Sequence, residues 1–384
     1  MVVAQPGRRA IGTWSGGRYL RFGEAIEPER LESLLRPGGG IDTVLTADVY
    51  GEGDADSLAG RALSGLPRET YSLVGAIGHD FYDGQRDGPR GFPRFTDPRL
   101  RGADGYADYL RVATERSLGR LQQECFDLLL LHNPDRTGYE SASVWEGMSA
   151  LRDAGLAEAV GIAPGPANGF TLDLIRCFER FGELIDWAMI ILNPFEPWPG
   201  ELCLEAATRH GVRVITRVVD YGGLFWDDVT PDTELPPGDH RRFRPDGWIA
   251  EGRAKLDRLR PIAERAGLTP MQLACQWNLA HDGVECVVPT LIQELGAEAR
   301  PIEEKRAELA ALPAGPRLSG GDVEEIRTIG DNAGCMALKG ATPDHSGEER
   351  PDRWTLSAEQ VDTAARWGID PERDLRQLSA EPAR

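Results

Sequence analysis

Short apolar runs recur along the chain, and most are followed by a stretch with helical periodicity. The runs are IGTW at 11–14, IDTVLTA at 41–47, YSLVGAI at 71–77, FDLLLLH at 126–132, EAVGIAP at 158–164, WAMIILN at 187–193, VRVITRVV at 212–219 and ECVVPTL at 285–291. They are apolar at consecutive rather than alternate positions, the pattern of a parallel strand buried on both faces. Helical spacing covers 56–65, 105–123, 143–155, 169–181, 201–210, 250–266 and 270–281. Eight such units in series predict an α/β fold, a closed (β/α)8 or TIM barrel, with a C-terminal extension. An open doubly wound sheet is the competing architecture, but no Gly-x-Gly-x-x-Gly follows an early strand.

Two connections are longer than ordinary loops: His79 to Leu100 after the third run and Asp220 to Gly247 after the seventh. In a barrel both lie at the C-terminal face, where sites are built. The reading divides the chain into a barrel over 8–313 and, over 314–384, a helical extension packed on it. GGDVEEIRTIG at 320–330 is its helix-like segment, and Trp354 and Trp367 argue that it docks on something apolar.

The net charge of −19 works against nucleic acid and anionic membranes as partners. FDLLLLH is too short to span a bilayer, no apolar run follows MVVAQPGRRA, and the six cysteines fall singly. A cytoplasmic protein is expected. No His, Cys, Asp and Glu set has metal-ligand spacing. The expected partner is a small-molecule substrate, with homo-oligomerisation left open.

GIDTVLTADVYGEGDADSLAGRAL at 40–63 resembles the segment of the aldo-keto reductases that carries their catalytic tyrosine. SLGRLQQECFDLLLLHNPD at 117–135 is similar to the segment carrying their histidine, and VWEGMSALRDAGLAEAVGIA at 144–163 to the stretch after it. DHRRFRPDGW at 239–248 and LTPMQLACQWNLAH followed by VECVVPT, within 268–290, resemble the seventh loop and eighth strand. The resemblance spans roughly residues 10–310 and implies the same barrel. It also implies hydride transfer between a nicotinamide and a carbonyl, with Tyr50 as proton donor and His132 as the family histidine. A buried ammonium held by a carboxylate makes that tyrosine acidic enough in the family. Here the aspartate position is Leu45 and the lysine position Ala76. Using Asp42 instead requires a three-residue insertion inside a strand.

For the cofactor, NADP or NAD, the resemblance implies Thr13, Asn193, Arg217, Gly223, Leu224 and Arg300. The polar pair after the fifth strand is replaced by Ala163 and Pro164, and the glutamine of the sixth by Met189. Trp14 and His79 are the substrate-side candidates. Each site residue has a plainer reading: Tyr50 and Trp14 as core aromatics, His132 bonded to Asp135 or backbone, His79 solvated in its loop. Lys339 is a remote substitute for the missing lysine, or a surface lysine.

Three functions follow. The first is an NAD(P)-dependent oxidoreductase acting on a polar, sugar-like molecule, as in carbohydrate metabolism. The second is a cofactor-independent lyase, dehydratase or isomerase using Tyr50 and His132 as an acid/base pair. The third is a non-catalytic ligand sensor or interaction protein on the same scaffold.

Overall fold

The computed structural model describes residues 6–88, 91–296 and 298–377. One parallel sheet runs in chain order through β1 (Ala10–Gly12), β2 (Thr43–Leu45), β3 (Ser72–Ile77), β4 (Leu128–His132), β5 (Val160–Ala163), β6 (Trp187–Ile191), β7 (Arg213–Arg217) and β8 (Val284–Val288). A parallel bridge between Arg9 and Val287 closes the ring. Arg9 secures the seam by donating from Nη1 to the carbonyls of Ala310 and Leu312 at 2.5 and 2.9 Å. The result is the expected (β/α)8 barrel, and each strand lies within one residue of its apolar run or inside it.

Side chains alternate along each strand with a period of two. Leu128 and Leu130, Trp187 and Met189, and Ile215 share one interior cluster with Leu45, Val74 and Ala76. The intervening Leu129, Leu131, Ala188, Ile190 and Val214 join the much larger outer core with the helices. This parity matters at the strand ends, because it directs His132, Ala163 and Arg217 into the barrel mouth.

The surrounding helices are α1 (Pro28–Leu35), α2 (Asp54–Leu63), α3 (Tyr106–Leu121), α4 (Arg136–Glu140), α5 (Ala142–Asp153), α6 (Thr171–Phe181), α7 (Leu204–Arg209), α8 (Trp248–Ala266), α9 (Pro270–Asn278) and α10 (Ile302–Ala310). Local sequence explains their edges. Thr269 and Gln272 form a reciprocal capping box at the start of α9, with Pro270 in the first turn.

The C-terminal segment holds α11 (Gly320–Gly330), two short parallel strands β9 (Gly340–Thr342) and β10 (Arg353–Thr355), α12 (Ala358–Arg366) and α13 (Pro371–Asp374). It contains strands as well as helices, which its polar sequence did not suggest. Both tryptophans grip α6: Trp354, fully buried, donates from Nε1 to Asp173 at 2.9 Å, and Trp367 donates to Glu179 at 2.9 Å. Gln360 and the backbone N–H of Ala341 also donate to Asp173. The chain between α11 and β9 runs along the loops after β5 and β6. Asn332 exchanges two hydrogen bonds with the Trp198 backbone, and Lys339 pairs its backbone with Asn168 and Phe170. The Lys339 ammonium itself engages Asp352 at 2.7 Å.

Candidate active site

Tyr50 begins the turn after β2, and its ring meets His132 edge-on, 5.7 Å between centroids. Trp14 approaches Tyr50 at 6.5 Å, and His79 approaches His132 at 5.3 Å. Four residues singled out from the sequence thus converge at the C-terminal end of the barrel. Leu45 and Ala76 belong to the apolar cluster against which Tyr50 packs. Asp42, by contrast, is exposed at the start of β2.

The electrostatics follow from that apolar floor. Burial pushes the Tyr50 phenol up to about 12, and the only charge drawing it back is Arg217. His132 is held down at about 3, by burial first and by Arg94 and Arg217 next. It is therefore a neutral imidazole at physiological pH. Its Nδ1 is buried without a partner, and Asp135 bonds Thr96 and the Gly138 N–H instead. The plainer reading of a histidine satisfied by Asp135 does not describe this side chain.

His79 is buried rather than solvated, and its ring is fixed from both sides. Nδ1 lies 3.2 Å from the Phe92 carbonyl, and Nε2 lies 3.1 Å from the side-chain amide of Asn133. Desolvation, Arg94 and His132 hold its basicity well below the usual histidine range.

Arg94 was not foreseen. It comes from the long loop after β3, where it bridges to His79 in antiparallel fashion. Its Nε donates to the Asn133 carbonyl, and Nη1 reaches His79 Nδ1 at 3.1 Å and the Phe92 carbonyl at 3.4 Å. The available signal was GFPRF, an arginine close to two phenylalanines inside a polar loop. Phe92 and Phe95 are both buried and pin that backbone. Asp48 was also passed over. It is fully buried with neither carboxylate oxygen partnered, and burial with Asp56 nearby pushes its carboxyl well above the usual range.

The remaining candidates lie around the rim. Arg217, at the end of β7, donates from Nη2 to the carbonyls of Pro164 and Gly165 at 3.2 and 2.5 Å, and its Nε has no partner. Thr13 is buried with an orphaned hydroxyl. Asn193 spends its amide on Glu196 and the Val218 carbonyl. Gly223 holds the turn after β7 at φ 98°, where a Cβ would stand 2.9 Å from a Glu294 oxygen, and Leu224 is buried behind it. Arg300 is engaged by Glu308 at 2.7 Å and by the Trp226 carbonyl.

The family model of the aldo/keto reductases matches residues 10–299. The chain belongs to the aldo/keto reductase family. The 6-dehydroglucose reductase of Agrobacterium fabrum is 24% identical over 295 residues, covering 74% of this chain and 83% of that protein. The glycerol dehydrogenase of Gluconobacter oxydans superposes with a TM-score of 0.63 at 22% identity, covering 84% of this chain and 90% of that one. An aldo/keto reductase from Klebsiella pneumoniae, solved with NADP and acetate, superposes with a TM-score of 0.55 at 20% identity over 84% and 90% of the two chains.

Membership in the aldo/keto reductase family raises the question of a nicotinamide dinucleotide, and the residues here fit one held mainly from the β7 side. Gly223 turns the chain after β7 at positive φ, and the orphaned Thr13 hydroxyl and Arg217 Nε offer unused hydrogen-bonding capacity. Ala163, Pro164 and Met189 offer no polar side chain to a carboxamide. Arg217 takes up the adjacent carbonyls and presents a guanidinium for stacking.

Proposed function

We propose that this aldo/keto reductase is an NAD(P)-dependent oxidoreductase that interconverts a carbonyl and an alcohol on a polar, sugar-like small molecule. The observation that carries the reading is the convergence of Tyr50, His132 and Arg217 at the barrel mouth within a chain of this family. When bound, the cofactor supplies or accepts the hydride.

The protein's part is to manage one proton and one oxygen. Tyr50 keeps its proton at neutral pH and gives it to the carbonyl oxygen as that oxygen gains negative charge. Arg217 is the cation that favours the resulting tyrosinate, a task the family assigns to an ammonium. His132, neutral, orients and polarises the same oxygen. Trp14 and the apolar floor of Leu45 and Ala76 exclude water. The polar character of the substrate is supported by the names of the sugar and polyol enzymes this chain resembles. A cytoplasmic location agrees with cysteines that form no disulfide among the described residues.

Titration with NADH and NADPH, followed by thermal shift, tests the proposal, because a ligand of the native state raises the melting temperature. Binding followed by turnover of sugar-like aldehydes sustains it. Failure of both cofactors to bind sinks it in favour of cofactor-independent acid/base chemistry at Tyr50 and His132. The absence of polar side chains at Ala163, Pro164 and Met189 gives that second reading its support.

A further inference from the structure

The cations buried around this barrel are mostly neutralised. Arg241 is clamped by Asp239 and Glu294, Arg244 by Glu196, Arg120 by Asp56 and Lys305 by Asp228. Arg94 breaks the pattern. Among the described residues no carboxylate lies within ion-pair distance of it, and its bonds go to two backbone carbonyls and the His79 ring. Acids are not scarce, since the chain has 62 of them. Arg217, the other cation acting on His132, likewise bonds only backbone carbonyls. Both guanidinium groups act on a buried neutral histidine whose Nδ1 has no partner, and neither is in ion-pair contact with a carboxylate; Asp135 and Asp352 act on Arg94, and Glu196 on Arg217, only from farther away. Buried charge of that kind is ordinarily paired.

Arg94 is also oriented in advance. The Asn133 carbonyl holds Nε, while His79 and the Phe92 carbonyl hold Nη1, and Phe92 and Phe95 bury the backbone on either side. Among the described residues Nη2 makes no hydrogen bond. That leaves one polar edge of the guanidinium for a ligand, the geometry suited to a carboxylate. Its loop follows β3, whereas the glycine turn suited to a cofactor follows β7, on the opposite side of an eight-stranded ring.

We propose that Arg94 binds a carboxylate on the substrate, so that the compound this barrel acts on is an oxo-acid or hydroxy-acid, such as a sugar acid. The chemistry at the carbonyl rests on the oxidoreductase reading above; the acid group rests on Arg94.

Matched pairs differing in one carboxylate test it: D-glucuronate against D-glucose, and glyoxylate against glycolaldehyde. Binding is measured calorimetrically on the wild-type chain, Arg94→Gln and Arg94→Lys, each with and without NADH, alongside kcat/KM. A charge-assisted hydrogen bond predicts about 10- to 100-fold preference for the acid member. Arg94→Gln should bring that ratio close to unity, and Arg94→Lys should keep part of it. Equal binding of acid and neutral members, no measurable binding of either acid, or an acid preference that survives Arg94→Gln overturns the proposal. So does a loss of NADH affinity in Arg94→Gln with the acid preference intact, which assigns Arg94 to the cofactor's phosphates. Arg94→Lys keeps the test decisive if the glutamine variant loses loop order. Absence of turnover with either cofactor counts against the oxidoreductase reading alone, because the binding ratio is read independently.

Discussion

Tyr50 and His132 are both driven toward neutrality, and that sets how the site responds to pH. Replacing Tyr50 with Phe should lower kcat/KM by about 10²- to 10⁴-fold, the usual worth of a positioned acid. In the oxidation direction Tyr50 must first lose its proton. With its phenol near 12, the oxidation rate should climb through the alkaline range without a plateau, as initial rates against pH will show. His132 and His79 have basicities below the ordinary histidine value of about 6.5. An unfolded chain therefore binds protons that the folded one refuses. Stability contributed by these burials is full above about pH 6.5 and is lost as pH falls toward the folded values. Melting temperature should drop as pH is lowered from 7, and His132→Gln should flatten that slope. A slope unchanged in the variant would show that other groups govern acid unfolding.

How legible such residues are in the sequence depends on what fixes them. His132 ends an apolar strand, and the two-residue alternation that places Leu128 and Leu130 inside places it at the mouth. Tyr50 stands in a frame that the family repeats. Arg94 had neither cue, because its loop takes its course from tertiary contacts of Phe92, Phe95 and Asn133 that no local pattern encodes.

At the scale of elements, apolar runs located all eight strands of the barrel, since strands buried on both faces leave a continuous signal. The same rule explains the misses. GAT and RWT, the strands β9 and β10, are three residues long in a polar tail and have no run to read. Their importance lies in Trp354, which sits with Phe170 and Tyr139 and bonds Asp173 on α6. Trp354→Ala should destabilise the fold by about 3–5 kcal/mol in a urea titration. The element after β8 carries a second prediction. Arg300 is taken by Glu308, Lys305 by Asp228, and Arg306 by the carbonyls of Leu34, Arg36 and Gly38. With none of these cations free for a 2′-phosphate, NADH should bind at least as tightly as NADPH. A marked preference for NADPH in the same titration would show that this ion-pair network rearranges.

Across the whole molecule, 62 acidic against 43 basic residues make self-repulsion a standing load on the folded state. Raising sodium chloride from about 10 to about 150 mM should increase the melting temperature, because screening weakens long-range repulsion more than the buried pairs around Arg241. No helix among the described residues is long and apolar enough to cross a membrane.

The seam between the first strand and the last has a consequence for how the chain is made. Arg9 bonds Ala310 and Leu312 and bridges Val287, so the first strand of the barrel finds these partners only after some three hundred more residues have been joined. Until then the growing polypeptide presents two unpaired strand edges, and β1 has only β2 beside it. A pause in translation before residue 287 would hold the nascent chain as an open sheet at the ribosome exit, the stage at which a chaperone that covers strand edges has most to protect.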